Sequence, residues 1–186
     1  MARIEHHLHS LLQHDDKVSG DSDVDVMMSV DAELFSEEPE RCILYYLAGY
    51  IAHKLCKFTP CAECKESLIN NGGSSEDDKL VSLKTRGGLK MPSQALTRLL
   101  TVVEHSVQVH AVKPKASAYS DILNSTLSSD DLSTSMIGCA AHCCSLTARC
   151  VHFYITTRLF FIRKAINRNR SSNQQKQKLS KLSKLT

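Results

Sequence analysis

The stretch Cys144 to Ile166, CSLTARCVHFYITTRLFFIRKAI, decides the fold. Its residues Cys144, Ala148, Val151, Ile155, Leu159, Ile162 and Ile166 follow steps of 4, 3, 4, 4, 3 and 4. At 100° per residue they fall in one stripe about 80° wide, which predicts a long amphipathic helix with one buried face. A single helix cannot bury such a stripe, so other helices must supply the opposite wall. The composition agrees: 42% of the 186 residues are hydrophobic but only 5% are aromatic and none is tryptophan. Leu, Ile, Val and Ala therefore carry the core, which suits helix on helix. The expected class is mainly α, an irregular helical bundle of one domain. The most apolar run, Cys150 to Ile162, contains Arg158 and is too short to cross a bilayer, so no membrane partner is expected.

Working back toward the N-terminus, Ser129 and Asp130 are capping candidates, and Pro114 ends one helix or opens another that covers Tyr119, Ile122 and Leu123. Past Pro92, Leu96, Leu99, Leu100, Val103 and Val107 repeat with a helical period. Asn70 to Ser75 and Arg86-Gly87-Gly88-Leu89 are loops around Leu80 to Leu83, a short strand or a helical turn. A further helix is expected from about Ser36 to Leu55, opened by Ser36-Glu37-Glu38-Pro39 and apolar at Leu44, Leu47, Ile51 and Leu55. Its Ala48, Gly49 and Ala52 allow a neighbouring helix close approach. Residues 1–35, with His6, His7, His9 and His14 and a Ser/Asp/Gly stretch, are expected to be a flexible linker, residues 36–170 the helical domain, and residues 171–186 a disordered basic tail.

Cys61-Ala62-Glu63-Cys64 is the one local motif with metal-ligand spacing, because two thiolates three apart at a helix entrance can converge on a tetrahedral zinc ion. One such pair is half a site. The other dense cluster is Cys139, His142, Cys143 and Cys144, and on a helix Cys139 with His142 or Cys143, at i,i+3 or i,i+4, can present two more ligands from one face. Two readings stay open: a zinc site of Cys61, Cys64, Cys139 and His142, or reduced thiols serving as small apolar fillers. Eight cysteines without a signal-peptide-like N-terminus argue against a secreted disulfide framework. Cys42, Cys56 and Cys150 are core or near-surface thiols. Glu104 beside His105 is expected to be a surface pair rather than an acid–base dyad. No Ser-His-Asp pattern, phosphate-binding glycine loop or trio of convergent carboxylates is visible, so no catalytic residue is assigned.

Charge divides along the chain. Residues 1–40 hold eleven acids against Arg3 and Lys17, whereas from Arg149 onward there are ten Lys or Arg and no acid. Arg149, Arg163 and Arg170 lie beside the apolar stripe and, with Lys164 and Arg168, are the candidate DNA-binding residues. The alternative is a solvated tail.

Several of these pieces, in this order, resemble one family. Tyr46-Leu47-Ala48-Gly49-Tyr50-Ile51-Ala52-His53-Lys54-Leu55, Cys61-x-x-Cys64 with Leu68, Leu80 to Leu83 leading into Arg86-Gly87-Gly88-Leu89, Pro92-Ser93, and His142 upstream of Tyr154-x-x-x-Arg158-Leu159 with Lys164 look like the C-terminal part of P-element-type DNA transposases, including the THAP-domain transposase-derived proteins of animals. The similarity covers roughly residues 39–168. It implies a nuclear protein whose parent reads DNA through a zinc-coordinating THAP domain and cuts it through an RNase H-like domain with three acidic residues and Mg²⁺, accompanied by a GTP-binding insertion. Those acidic residues are expected upstream of Met1, the last in a Glu-x-x-Phe context that does not occur here. The chain departs from the family pattern in its cysteine-rich 139–150 stretch.

The resulting expectation is a transposase C-terminal helical module, non-catalytic on its own, that supports DNA binding or assembly of a P-element-like transposase. Its partners would be DNA and a full-length transposase or a second copy of itself, and zinc its one candidate cofactor. The competing readings are a zinc-stapled protein-interaction module and a decayed transposon fragment.

Overall fold

The computed structural model describes residues 2–13, 39–70, 89–111 and 115–182. Their helices are α1 (Ala2–Gln13), α2 (Pro39–Phe58), α3 (Ala62–Leu68), α4 (Gln94–His110), α5 (Ala118–Leu127), α6 (Asp130–Thr134) and α7 (Cys143–Leu182). No strand occurs among the described residues, and one isolated antiparallel bridge joins Ile69 to Pro92. The protein is mainly α, a helical bundle as the periodicity predicts. The Ser36 cap, the Leu80 to Leu83 segment, the Arg86-Gly87-Gly88 turn, Pro114 and His14 lie outside the described residues.

The 40-residue α7 is about 60 Å long and forms the spine, packing along α1, α2, α4 and α5. Of the predicted stripe, Ala148, Val151, Ile155 and Leu159 are buried, while Cys144, Ile162 and Ile166 are half-buried. Leu159 is the last buried residue among those of α7 whose side chains are described, and beyond it the half-buried Phe161 and Ile162 still pack against the core. Ser129 precedes the short α6 rather than the long helix, which begins only after the turn at Gly138–His142.

A second layer is set by Ser93. Its hydroxyl accepts from Leu96 N at 3.0 Å, capping α4, and donates to the Ser67 carbonyl at the end of α3. Ser93 N to Leu68 O and Asn70 N to Met91 O complete the clasp that fixes α3 on the entrance of α4. On α4, Leu96, Leu99, Leu100, Val103 and Val107 are buried as their spacing requires. On α2, Ala48 and Ala52 are fully buried, Gly49 is buried, and the Gly49 carbonyl accepts from Lys90 N at 3.4 Å. The small-residue patch thus lets the chain at Lys90 approach the α2 backbone.

Two expectations change. Residues 2–13 form a helix, not a linker: Ile4 and Leu8 are each 1% exposed and, with Leu11, step by four and three onto α7. Three apolar positions make a sufficient stripe when a long apolar helix waits to receive them. The backbone of residues 171–182, expected to be disordered, continues α7 as a helix to Leu182. Polar helix formers such as Gln and Lys propagate a helix that the packed segment has already nucleated. Truncation at Leu8→Ala should cost about 2 kcal/mol of unfolding free energy, read by urea denaturation. An unchanged midpoint would mean that α1 contributes nothing to the core.

Candidate metal centre

Cys61 precedes α3 with extended backbone, and its carbonyl accepts from Lys65 N, so Cys61 and Cys64 bracket the first turn of that helix. Their counterparts come from the opposite end of the sequence. Gly138, at φ +107°, turns the chain immediately before Cys139; a Cβ there would approach Leu146 Cδ2 to 3.0 Å. Thr147, fully buried, receives Ile137 N on its hydroxyl at 3.1 Å and fixes the strand of chain entering that turn. The carbonyl of Cys139 then accepts from both His142 N and Cys143 N, which winds the turn into α7 and brings Cys139 and His142 to one side.

The result is that Cys61, Cys64, Cys139 and His142 place their ligand atoms all within 4.8 Å of one another. Cys139 Sγ lies 3.9 Å from Cys61 Sγ and 3.6 Å from Cys64 Sγ. His142 Nδ1 lies 3.2 Å from Cys139 Sγ and 3.7 Å from Cys64 Sγ. A regular tetrahedron with zinc–sulfur bonds of about 2.3 Å has sulfur–sulfur edges of about 3.8 Å, and its sulfur–nitrogen edges are about 3.5 Å. The four distances above, 3.2 to 3.9 Å, lie near those edges, all four atoms lie within 4.8 Å of one another, and the thiolate-rich donor set suits zinc. Burial pushes the Cys64 thiol up to about 11. Burial would raise Cys139 too, but hydrogen bonds from Cys64 and from the backbone of His142 and Ala141 outweigh it and hold that thiol down to about 7. Among the described residues seven cysteines are free thiols, so no disulfide competes for these sulfurs.

A recess of about 90 Å³ adjoins the cluster, lined by Thr59, Pro60, Ser145, Leu146 and Arg149 besides three of the ligands. Three thiolates around a divalent ion leave a net charge of −1, and Arg149 stands beside it. Arg149 is half-buried there, whereas Arg163, Arg168 and Arg170 are exposed farther along α7. Lys164 is half-buried, with its ammonium 5.7 Å from the centre of the Phe160 ring. The candidate cations therefore do not form one patch: Arg149 belongs to the neighbourhood of the cluster and the other four to the distal helix. Cys150 is fully buried and its thiol is raised by burial, and Cys56 is half-buried, in keeping with filler roles; the Cys42 side chain lies outside the described residues.

Glu104 corrects the surface-pair expectation. It is 4% exposed and meets α7 across the core: Tyr154 donates to Oε2 at 2.7 Å, and Arg158 donates from Nη2 to Oε1 at 2.7 Å and from Nε to Oε2 at 3.0 Å. His105 is exposed. The signal was present in the spacing, since Glu104 stands four residues after Leu100 on the buried face and Tyr154 and Arg158 are four apart on α7. Burial, then the neighbouring carboxylate, raises the Tyr154 phenol well above its ordinary range, so it stays a donor. A second cross-helix bond joins Tyr119 OH and His152 Nδ1 at 2.8 Å, and burial pushes Tyr119 up to about 12.

Among the described residues no helix is long and apolar enough to cross a membrane. No solved structure matches the chain. Human DNA transposase THAP9 is 30% identical over 84 residues, which is 45% of this chain and 9% of that protein; the chain thus spans a small part of its relative's length. The family model described as the C-terminal domain of DNA transposase THAP9 matches residues 31–164. That span holds all four clustered ligands, the Ala48-Gly49 helix and the Glu104–Arg158 pair, and it places the chain in the family of the C-terminal domain of DNA transposase THAP9.

Proposed function

We propose that this chain is a non-catalytic helical module of a P-element-type transposase, in which one zinc ion staples α3 to the start of α7 and the distal half of α7 holds DNA by its phosphates. The observation that carries the DNA part is the character of α7 beyond Leu159: Arg163, Arg168 and Arg170 are exposed, Lys164 half-buried, and no acid occurs from Arg149 to Leu182. A helix with cations around it and no acid attracts a polyanion, displaces its condensed counterions and binds with steep salt dependence. Cys61, Cys64, Cys139 and His142 would hold the zinc, whose contribution is structural, with Arg149 offsetting the charge of the thiolates. The working compartment is then the nucleus, and the partners are DNA and a full-length transposase or a second copy of the chain.

Replacing Arg163, Arg168 and Arg170 together by alanine is expected to weaken duplex binding at 100 mM salt at least tenfold and to reduce the slope of log K against log salt by about three. Fluorescence anisotropy over a salt series reads both. Unaltered affinity and slope would remove the DNA reading and leave the zinc-stapled protein-interaction module, which the metal geometry supports equally.

A further inference from the structure

We infer that the segment Phe160–Arg170 of α7 reads base edges in the major groove of duplex DNA, beyond holding phosphates. The inference rests on the DNA reading above. Phe160, Arg163, Asn167 and Arg170 follow steps of 3, 4 and 3 and share a stripe about 80° wide. Phe160 is 47% exposed, and Arg163, Asn167 and Arg170 are all exposed. The centre of the stripe is turned about 90° from the centre of the core-facing line of Ile155, Leu159, Ile162 and Ile166.

The side-chain types on that stripe have a specific chemistry. Arginine donates two parallel hydrogen bonds to guanine O6 and N7, asparagine pairs with adenine N6 and N7, and an apolar ring edge meets the thymine methyl. A ridge meant for phosphates alone needs only charge and would be served by lysine, whereas here asparagine stands between two arginines. Arg163 to Arg170 spans about 10 Å of helix axis, the rise of roughly three base pairs. A helix is 10–12 Å across with its side chains, and the groove is about 12 Å wide. The remaining cations, Lys164 and Arg168, lie off the stripe, where groove walls carry phosphates. An acidic protein could meet the same charges, but it would give no account of the arginine–asparagine–arginine order.

The test is selection of bound duplexes by the zinc-loaded full chain from a random-sequence library, followed by sequencing. The expected result is enrichment of a motif about three to four base pairs long. On the enriched duplex against a scrambled one, Asn167→Ala and Arg163→Lys should each lower the affinity ratio on the order of tenfold. Arg168→Ala should weaken both duplexes alike and leave the ratio in place. A flat library with salt-dependent binding retained would overturn base reading and leave phosphate binding standing. Preference for single strands, or for an acidic polypeptide, would overturn it as well, and no binding of any duplex would sink both readings. Circular dichroism of each variant separates loss of contact from loss of fold.

Discussion

Cys64→Ser should abolish stoichiometric zinc binding and remove most of the stability that zinc confers. Cys64 is the most enclosed of the four ligands, 1% exposed, and its sulfur lies within 3.7 Å of both Cys139 Sγ and His142 Nδ1. The two halves of the site are 75 residues apart, so a bound zinc ion would tie α3 to the start of α7 across most of the domain. Anything that binds only the folded chain stabilises it, by about 4 kcal/mol at a thousandfold excess over Kd. Serine offers no comparable donor, and a three-ligand remnant should fail to hold zinc against a mild chelator. Differential scanning calorimetry with and without zinc, together with elemental analysis, reads the effect. Stoichiometric zinc in the variant, or a wild-type Tm indifferent to chelator, would dismiss the staple. Acid should act in the same direction. Zinc must displace the Cys64 proton at any pH below about 11, and the Cys139 proton as well below about 7. Apparent affinity therefore falls as pH falls, more steeply through pH 7, which a cobalt titration between pH 8 and pH 6 would follow.

Much of this was legible in the sequence because it depends on period and spacing. The steps of α7 and α4 specify their buried faces, and the Cys-x-x-Cys pair with Cys139 and His142 names a ligand set by chemistry alone. What spacing cannot supply is whether two distant segments meet. The sequence left zinc and filler roles open for the four residues; the Gly138 turn and the Thr147 clamp that bring them together involve residues with no metal chemistry of their own. The helix α1 was hidden for a related reason. Ile4, Leu8 and Leu11 are few, and exposed histidines surround them, so their burial becomes legible only once the receiving face of α7 is known. Glu104 was misjudged because an acid on an apolar helix is usually exposed, and the cation that makes its burial tolerable lies on another helix.

That ion pair yields the other large effect. Arg158→Met should cost about 3–5 kcal/mol, because it strands the Glu104 carboxylate in a core where its side chain is 6% exposed. The partner truncation, Glu104→Leu, strands the guanidinium less severely, since Arg158 retains 16% exposure and can turn toward water. Removing both charges together, Glu104→Leu with Arg158→Met, should restore much of the loss: two buried ions repay their desolvation only through each other, and a well-packed apolar pair needs no such repayment. Tyr154 complicates the cycle, since its hydroxyl donates to the carboxylate and would be left buried without an acceptor; adding Tyr154→Phe should recover roughly a further 1 kcal/mol. Urea unfolding of the zinc-loaded chain measures each step. An Arg158→Met variant within about 1 kcal/mol of wild type would show that the carboxylate is not stranded, and that the contact joining α4 to α7 is packing rather than charge.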